Sequence, residues 1–202
     1  MIRLATIGTS KITNHFAGAV DLVDGTQISC VYCRDSARAA SLARELGAAS
    51  AVSDLRQMLS AADIDAVYVG SPNSVHHEQA LAAIRAGKHV LVEKPISENM
   101  ASARAMVRTA LRYDRTLMVT QQYRYHDQPR MLRRLIADGE IGEIDHIVVE
   151  FQIQGLLFGW RQRMEHPFLM DMAIHHFDLM RYLLGSNGLR VTAQTWNPPF
   201  SN

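Results

Sequence analysis

The sequence is short of net charge, long apolar runs and cysteine, and each shortage excludes a class of protein. A net charge of +1, with basic residues scattered along the chain, argues against nucleic-acid and anionic-membrane partners. No apolar run approaches the about 20 residues that span a bilayer, and MIRLATIG is too short for the core of a signal peptide. We therefore expect a globular protein in the cytoplasm.

Cysteine is limited to Cys30 and Cys33, a C-x-x-C pair inside the strand-like segment QISCVYC. Side chains three residues apart on a strand point to opposite faces, whereas redox C-x-x-C pairs work at a helix N-terminus. A structural zinc site needs further ligands at matching spacing. We expect two unpaired thiols without redox or metal chemistry.

The 202 residues, 48% of them hydrophobic, can bury a sizeable core, and short apolar segments alternate with longer amphipathic ones over the first 121 residues. The apolar segments predict strands at 2–8, 27–33, 65–70, 89–93 and 116–121, with a short one near Ala51. The amphipathic segments predict helices at 11–23, 36–46, 54–61, 74–86 and 97–113. This alternation is typical of βαβ crossovers, and it predicts a Rossmann-type, doubly wound parallel sheet of the α/β class.

After about residue 125 the pattern changes to that of an α+β domain with an open, mainly antiparallel sheet. The segments predict a helix at 128–137, an alternating strand at 145–154, a helix from about 168 to 184 and a strand at 190–196. Two strands cannot form an independently stable sheet. We therefore divide the chain into domains at 1–121 and 122–202 and expect the second to be partial.

The turn after the first strand, GTSKIT, carries part of a dinucleotide fingerprint. Such a fingerprint has glycine at its first, third and sixth places, and here only Gly8 does, with Ser10 and Thr13 at the other two. Either hydroxyl could donate to a phosphate beside the helix N-terminus. On spacing alone, an ordinary strand-to-helix turn in a protein that binds no nucleotide explains the segment equally well.

The end of the second strand indicates which dinucleotide would bind. NAD sites place an acidic side chain there for the ribose diol, and NADP sites favour arginine for the 2'-phosphate. This chain has Arg34 after Cys33, Asp35 one place late, and Arg38 a turn further on. The pattern favours NADP(H) over NAD(H), with a solvated helix start as the alternative for both arginines.

The segment HVLVEKPIS ends a probable buried strand with Glu93, Lys94 and Pro95. Proline cannot donate to a strand ladder, so the strand should stop at the carboxyl edge, where open α/β sheets bind ligands. Pro72 and Asn73 follow another strand in the same way. Taken alone, a lysine and a proline after a strand are usually just a surface turn.

Together with GSPNSVHHEQALAAIRAGKHV upstream and DMAIHHFD downstream, this segment resembles the Gfo/Idh/MocA family of NAD(P)-dependent oxidoreductases, the glucose-fructose oxidoreductase and inositol dehydrogenase type. The resemblance implies a Rossmann domain followed by an α/β domain that often packs into dimers, so a homo-oligomer, dimer or tetramer, is expected. It also implies that the glycine-rich turn, the SPN loop, the Glu-Lys-Pro segment and a Trp-Arg pair lie along the cofactor. In this chain those residues are Gly8, Ser10, Lys11, Ile12, Ser71, Pro72, Asn73, His76, Glu93, Lys94 and Arg161.

The resemblance further implies that Lys94 and His175 flank the nicotinamide, with Asp171 beside them. Asp171 and His175 are four residues apart on a predicted helix and share a face, so the carboxylate can orient the imidazole. We hypothesise that His175 is the general base, that Asp171 supports it, and that Lys94 stabilises the developing alkoxide. The roles could also be exchanged, and His175 could be a buried core residue.

Metal binding is not expected, because His175 and His176 are adjacent and diverge by about 100° on a helix. Two departures from the family pattern stand out. Ser10 replaces a glycine and Thr13 replaces a glycine or alanine, and EHPFLM replaces a glycine-rich run before Asp171. Family members also usually continue beyond this length, so much of the second sheet is expected to be missing.

These features predict an NAD(P)-dependent dehydrogenase or reductase that acts on a sugar, a polyol or a related hydroxy or keto compound. The alternatives are a non-catalytic nucleotide-binding sensor of the same fold and an inactive truncated fragment.

Overall fold

The computed structural model describes residues 1–152 and 159–196 and divides the chain into two compact units. The first unit is Met1–Thr120 and the second is Gln121–Asn202. No helix among the described residues has both the length and the apolar character needed to cross a membrane.

The first unit is built on a six-stranded sheet in which every neighbouring pair of strands is parallel. The strands are β1 Ile2–Ile7, β2 Thr26–Tyr32, β3 Ser50–Val52, β4 Ala66–Val69, β5 His89–Val92 and β6 Leu117–Val119. Their order, β3-β2-β1-β4-β5-β6, runs outward in both directions from the β1–β4 pair, which is therefore the topological switch point. The predicted strands and the Rossmann-type parallel sheet are confirmed.

Five α-helices connect these strands, each at a predicted helical segment. They are α1 Lys11–Val20, α2 Ser36–Glu45, α3 Leu55–Ser60, α4 His76–Arg85, which follows a 3-10 turn at Asn73–Val75, and α5 Met100–Arg112. The side chains of Asp35, Asp54 and Asn99 accept backbone N–H groups at the starts of α2, α3 and α5. These caps satisfy donors that a helix leaves unpaired in its first turn, and they fix where each helix begins.

The core of the first unit lies between the sheet and its helices. Val67 and Val69 of β4 are fully buried, and α4 and α5 cover this part of the sheet with Ile84 and Met106. Cys30 is also buried, which raises the pKa of its thiol, and both cysteines are free thiols as predicted.

The second unit is helical in its described part. It contains a 3-10 turn at Gln122–Tyr125, α6 Asp127–Ala137, a 3-10 turn at Gly159–Arg163, a π-helical segment at Leu169–Ala173 and α7 Ile174–Leu184. The two predicted helices are confirmed, although the π-helical start of the second was not foreseen.

The two strands predicted in the second unit do not form in the described residues. Residues 145–152 and 190–196 have no strand structure, and residues 153–154 of the first prediction lie outside the described ranges. A strand requires a partner to hydrogen-bond its backbone, and alternation alone does not provide one. The described part of this unit therefore contains helices and no antiparallel sheet.

Candidate functional site

The carboxyl ends of β1, β4 and β5 bring three sequence-distant turns to one edge of the sheet. Ile7 pairs with Val69, and Val69 pairs with Val92, so the residues that follow these strands are neighbours. This edge lies at the switch point, where open α/β sheets bind ligands.

The glycine-rich turn approaches the backbone of β4 so closely that two glycines are required. Gly8 has φ +104°, and a Cβ on it would lie 2.9 Å from the carbonyl oxygen of Gly70. A Cβ on Gly70 would lie 2.7 Å from Cε1 of Tyr68 and 3.0 Å from Oγ1 of Thr13. Thr13 can therefore replace the third fingerprint glycine because the facing residue has no side chain. Sequence reasoning missed Gly70, since nothing local marks it as the partner of Thr13.

The hydroxyl groups of this turn bond to the protein's own backbone. Ser10 Oγ donates to the carbonyl oxygen of Gly70 at 3.1 Å, and Thr13 Oγ1 donates to that of Gly8 at 3.3 Å. Thr13 is fully buried. In this arrangement the buried hydroxyl of Thr13 is inaccessible to a phosphate, whereas Ser10 is exposed and its donation to a phosphate stays a prediction.

The loop after β4 places His76 in the interior. Asn73 is buried, and His76 is fully buried with Nε2 2.8 Å from the carbonyl oxygen of Ser71 and Nδ1 2.9 Å from that of Pro95. Both nitrogens of the ring face backbone carbonyls, so direct contact between His76 and a cofactor, which the family resemblance implied, is excluded in this structure. Pro72 and Ser71 remain at the accessible edge.

The Glu-Lys-Pro segment follows β5 and is held by a buried tyrosine that sequence reasoning missed. Tyr68 Oη donates to Glu93 Oε1 at 2.7 Å, and the Tyr68 ring stacks on Phe16 with centroids 3.9 Å apart. Burial, with the adjacent carboxylate of Glu93, raises the pKa of Tyr68, so its hydroxyl keeps its proton. Lys94 is half-buried and precedes Pro95 through a cis peptide bond.

At the start of α2, the acidic side chain of Asp35 and the side chains of Arg34 and Arg38 are in different environments. Asp35 Oδ1 accepts the backbone N–H groups of Ala37 at 3.0 Å and of Arg38 at 3.1 Å. Its carboxylate therefore caps the helix, while the side chains of Arg34 and Arg38 are exposed.

In the second unit, Asp171 and His175 are the buried residues of the described part. Asp171 Oδ2 accepts from Arg161 Nε at 2.7 Å. The predicted shared helix face is thus a buried face, although Asp171 lies in the π-helical segment and His175 in α7. Arg161, expected near the cofactor, has an ion pair with Asp171 that sequence reasoning did not foresee.

The two adjacent histidines lie against different aromatic rings. His175 stacks on Tyr123 with centroids 4.3 Å apart and planes 13° from parallel, whereas His176 lies 4.9 Å from Phe151. The predicted divergence of the two imidazoles is therefore confirmed. Over residues 1–152 and 159–196, no group of three or more metal-ligating side chains is assembled.

Next to Tyr123, Arg124 joins the 3-10 turn to α7. Its Nε donates to Asp178 Oδ2 at 2.6 Å, and its Nη2 donates to Asp178 Oδ1. The two side chains therefore form a bidentate pair. The hydrogen bond with Asp178 raises the pKa of Arg124. Asp178 therefore forms a salt bridge from α7 to the 3-10 turn.

Comparison with known proteins supports the fold and defines the family. Residues 2–121 match the profile of the Gfo/Idh/MocA oxidoreductase family with an NAD-binding Rossmann fold, and residues 130–199 match a C-terminal domain of the same family. A solved NAD-binding protein from Listeria innocua shares the fold with a TM-score of 0.81, at 22% identity over 90% of this chain and 54% of that one.

Two curated relatives are similar in sequence. A 1,5-anhydro-D-fructose reductase of Ensifer adhaerens is 32% identical over 96% of this chain and 60% of its own length. An NADP(+) scyllo-inositol 2-dehydrogenase of Bacillus subtilis is 42% identical over 54% of this chain and 34% of its own length. The chain thus spans about 60% of the first relative's length. From its matched profiles and its fold, the chain belongs to the Gfo/Idh/MocA oxidoreductase family.

Proposed function

We propose that this protein is an NADP(H)-dependent oxidoreductase that transfers a hydride between the cofactor and a sugar, a polyol or a related hydroxy or keto compound. The observation that carries the proposal is the position of Lys94, two residues after the end of β5 at the edge where Gly8 approaches Gly70. The relatives' names, a sugar reductase and an inositol dehydrogenase, support this class of substrate.

The residues at this edge suit a dinucleotide. Gly8 allows the turn to approach Gly70 closely, and the N–H groups of Lys11 and Ile12 lie in the first turn of α1, where a pyrophosphate would bind. Ser10 would contribute its backbone or its hydroxyl, which donates to Gly70 in this structure. Ser71, Pro72, Asn73 and Glu93 would line the path towards Lys94.

The preference for NADP(H) rests on the start of α2. Asp35 Oδ1 is engaged in the helix cap, and the exposed side chains of Arg34 and Arg38 would bind a 2'-phosphate. The NADP(+) named for the Bacillus relative supports the same choice.

The chemistry divides between a base and a fixed positive charge. The bound cofactor would supply or accept the hydride. In the oxidation direction His175 would take the proton from the substrate hydroxyl, with its ring plane fixed by Tyr123. Lys94 would stabilise the negative charge that develops on the same oxygen, and Asp171, held by Arg161, would support the histidine. The roles of Lys94 and His175 can be exchanged in this scheme.

The predictions of a cytoplasmic location and of a homo-oligomer, dimer or tetramer, stay part of this proposal. The partner is a small molecule, and nucleic acid and membrane are not expected to bind.

The test is a fluorescence titration of the whole chain with NADPH and with NADH, followed by turnover on a panel of polyols and keto sugars. We expect tighter binding of NADPH, and we expect Arg34→Ala with Arg38→Ala to remove most of that preference. Arg44→Ala, in the last turn of the same helix, is the matched control for lost positive charge and should leave the preference unchanged.

In the turnover assay, Lys94→Ala or His175→Ala should reduce the rate about 10²–10⁴-fold with little change in NADPH affinity. Unchanged turnover in both variants would refute the assigned roles. Tight NADPH binding with no turnover on any compound would instead favour a nucleotide-binding sensor, and no binding of either nucleotide would refute the proposal.

A further inference from the structure

We propose that Tyr68 and His76 are positioning residues, which fix the position of Lys94 by hydrogen bonds to the residues before and after it. This inference rests on the proposed function, because it assigns the two residues a role through the lysine of that site. We call the two contacts, Tyr68 with Glu93 and His76 with Pro95, the lysine clamp.

The first contact fixes the residue before Lys94. Tyr68 is fully buried in β4, its hydroxyl donates to Glu93 Oε1 at 2.7 Å, and its ring is stacked on Phe16. Gly70 provides the room for this ring, since a Cβ there would lie 2.7 Å from Tyr68 Cε1. Burial and the adjacent carboxylate raise the pKa of the phenol, so the hydroxyl keeps its proton and is the donor of this bond.

The second contact fixes the residue after Lys94. His76 is fully buried at the start of α4, with its ring nitrogens 2.9 Å from the carbonyl oxygen of Pro95 and 2.8 Å from that of Ser71. Both carbonyls only accept hydrogen bonds. An imidazole with one N–H donates to one of them and an imidazolium donates to both. In either state the ring fills the space between the loop after β4 and the segment after β5.

Neither residue can touch a ligand, because both side chains have no exposed surface. Lys94 lies between Glu93 and Pro95 and is half-buried, so the residues on both sides of it are held. An effect of either residue on hydride transfer must therefore act through the segments that it holds. For Tyr68 this is the Glu-Lys-Pro segment, and for His76 it is this segment together with the loop after β4. A shift of about 1 Å in a reacting group is enough to cost about 10²-fold in rate.

The variants are Tyr68→Phe, which removes one oxygen and keeps the stacked ring, and His76→Leu, which removes both ring nitrogens. His76→Gln restores an N–H donor at the same position and is the conservative rescue. Tyr32→Phe is the matched control, because Tyr32 is also buried and its hydroxyl has no hydrogen-bond partner within the described ranges.

The test measures turnover of each variant in the native chain and in the Lys94→Ala background. We expect Tyr68→Phe and His76→Leu to lower kcat about 10–100-fold in the native background, with KM and NADPH affinity changed less than about threefold. In the Lys94→Ala background they should cause no further loss, and His76→Gln should recover part of the rate. Equal losses in both backgrounds, or no loss in the native one, would overturn the proposal.

A second readout does not depend on turnover, and it separates failure of the clamp from failure of the proposed function. The sequence has three lysines, Lys11, Lys88 and Lys94, so reductive ¹³C-methylation gives signals that Lys→Arg variants assign. We expect the Lys94 signal to move or broaden in Tyr68→Phe and His76→Leu. The Lys88 signal, from an ammonium bonded to the carbonyls of Ala61 and Ile64, should stay unchanged and report an intact fold. An unchanged Lys94 signal would overturn the clamp even in a chain without turnover.

Discussion

Because Gly70 has no side chain, Tyr68 and Thr13 can pack closely against it. The space that its Cβ would take is used by the ring of Tyr68 and the hydroxyl of Thr13, and its carbonyl accepts from Ser10. One residue thus supports both the glycine-rich turn and the tyrosine that bonds to Glu93. A dinucleotide fingerprint in the first turn alone would not include it.

We predict that Gly70→Ala destabilises the protein by about 1–3 kcal/mol, because the added methyl overpacks against Tyr68 and Thr13. Gly18→Ala is the control: Gly18 lies within α1, a Cβ there meets nothing within 4 Å, and alanine favours helix by up to about 1 kcal/mol. Denaturant unfolding of both variants checks this prediction. Equal stability of the two would contradict the close approach.

The pair of Arg124 and Asp178 leads to a second prediction at the scale of the residue. Asp178→Asn keeps the shape of the side chain but removes the charge that receives two guanidinium hydrogen bonds. The Arg124 side chain is 36% exposed, so water replaces part of the lost interaction. We expect α7 to lose about 1–2 kcal/mol of local stability.

Hydrogen exchange of the α7 amides measures this loss, which corresponds to about 5–30-fold faster exchange. Asp138→Asn, at an exposed carboxylate after α6, should leave exchange in α7 unchanged. Protection of α7 that is the same in Asp178→Asn as in the native chain would show that the pair does not stabilise this helix.

At the scale of elements, β1 and β4 are joined near their amino ends by a pair of side chains as well as by their ladder. Asp65, just before β4, accepts from the backbone N–H of Arg3 at 2.8 Å and from its guanidinium at 3.1 Å. These hydrogen bonds lower the pKa of Asp65 to about 2. The hydrogen bond from the Arg3 side chain has the largest effect.

We predict a dependence of stability on pH with a defined sign. A carboxyl group whose pKa is lower in the folded than in the unfolded protein stabilises the fold above the unfolded pKa of about 4. That contribution is lost as the pH falls from about 4 towards 2. The unfolding midpoint of Asp65→Asn should therefore lie below that of the native chain at pH 6, and the difference should disappear towards pH 2. A difference that is constant with pH would contradict an ionic contribution of Asp65.

At the scale of the whole molecule, the two units differ in what holds them together. Among the residues that the structure describes, the buried hydrophobic side chains lie between Ala5 and Ala110, all in the first unit. In the described part of the second unit the buried residues are Asp171 and His175, and ion pairs and aromatic stacking connect its helices. Burial of apolar surface is the main favourable contribution to folding, so we expect it to act mostly in the first unit.

We predict that a fragment of residues 1–120 folds cooperatively, with a melting temperature within a few degrees of that of the whole chain, whereas a fragment of residues 121–202 does not. Calorimetry of the two fragments and the whole chain is the measurement. Cooperative melting of the second fragment alone would show that polar contacts suffice for its stability.

Sequence reasoning worked where the signal is local. The strands, the helices and the N-terminal caps of the first unit follow from periodicity and from residues within a few positions of each boundary. The strands at 145–152 and 190–196 were wrong because alternation reports which side chains could be buried, while pairing depends on a partner strand elsewhere. For the same reason the aromatic partner of His175, 52 positions away at Tyr123, could not be read from the pattern.

The sequence by itself thus determined a doubly wound parallel sheet, the family to which the chain belongs, and the placement of Lys94 at a strand's carboxyl end. Only the tertiary structure decided that Thr13 is compatible with the turn through Gly70, that Asp171 pairs with Arg161, and that Tyr68 and His76 hold the residues beside Lys94. The physical reason is the separation along the sequence of the residues that interact. Periodicity and capping act over a few residues, whereas the hydrogen bonds of Tyr68 and His76 join residues 25 and 19 positions apart, which only the folded chain brings together.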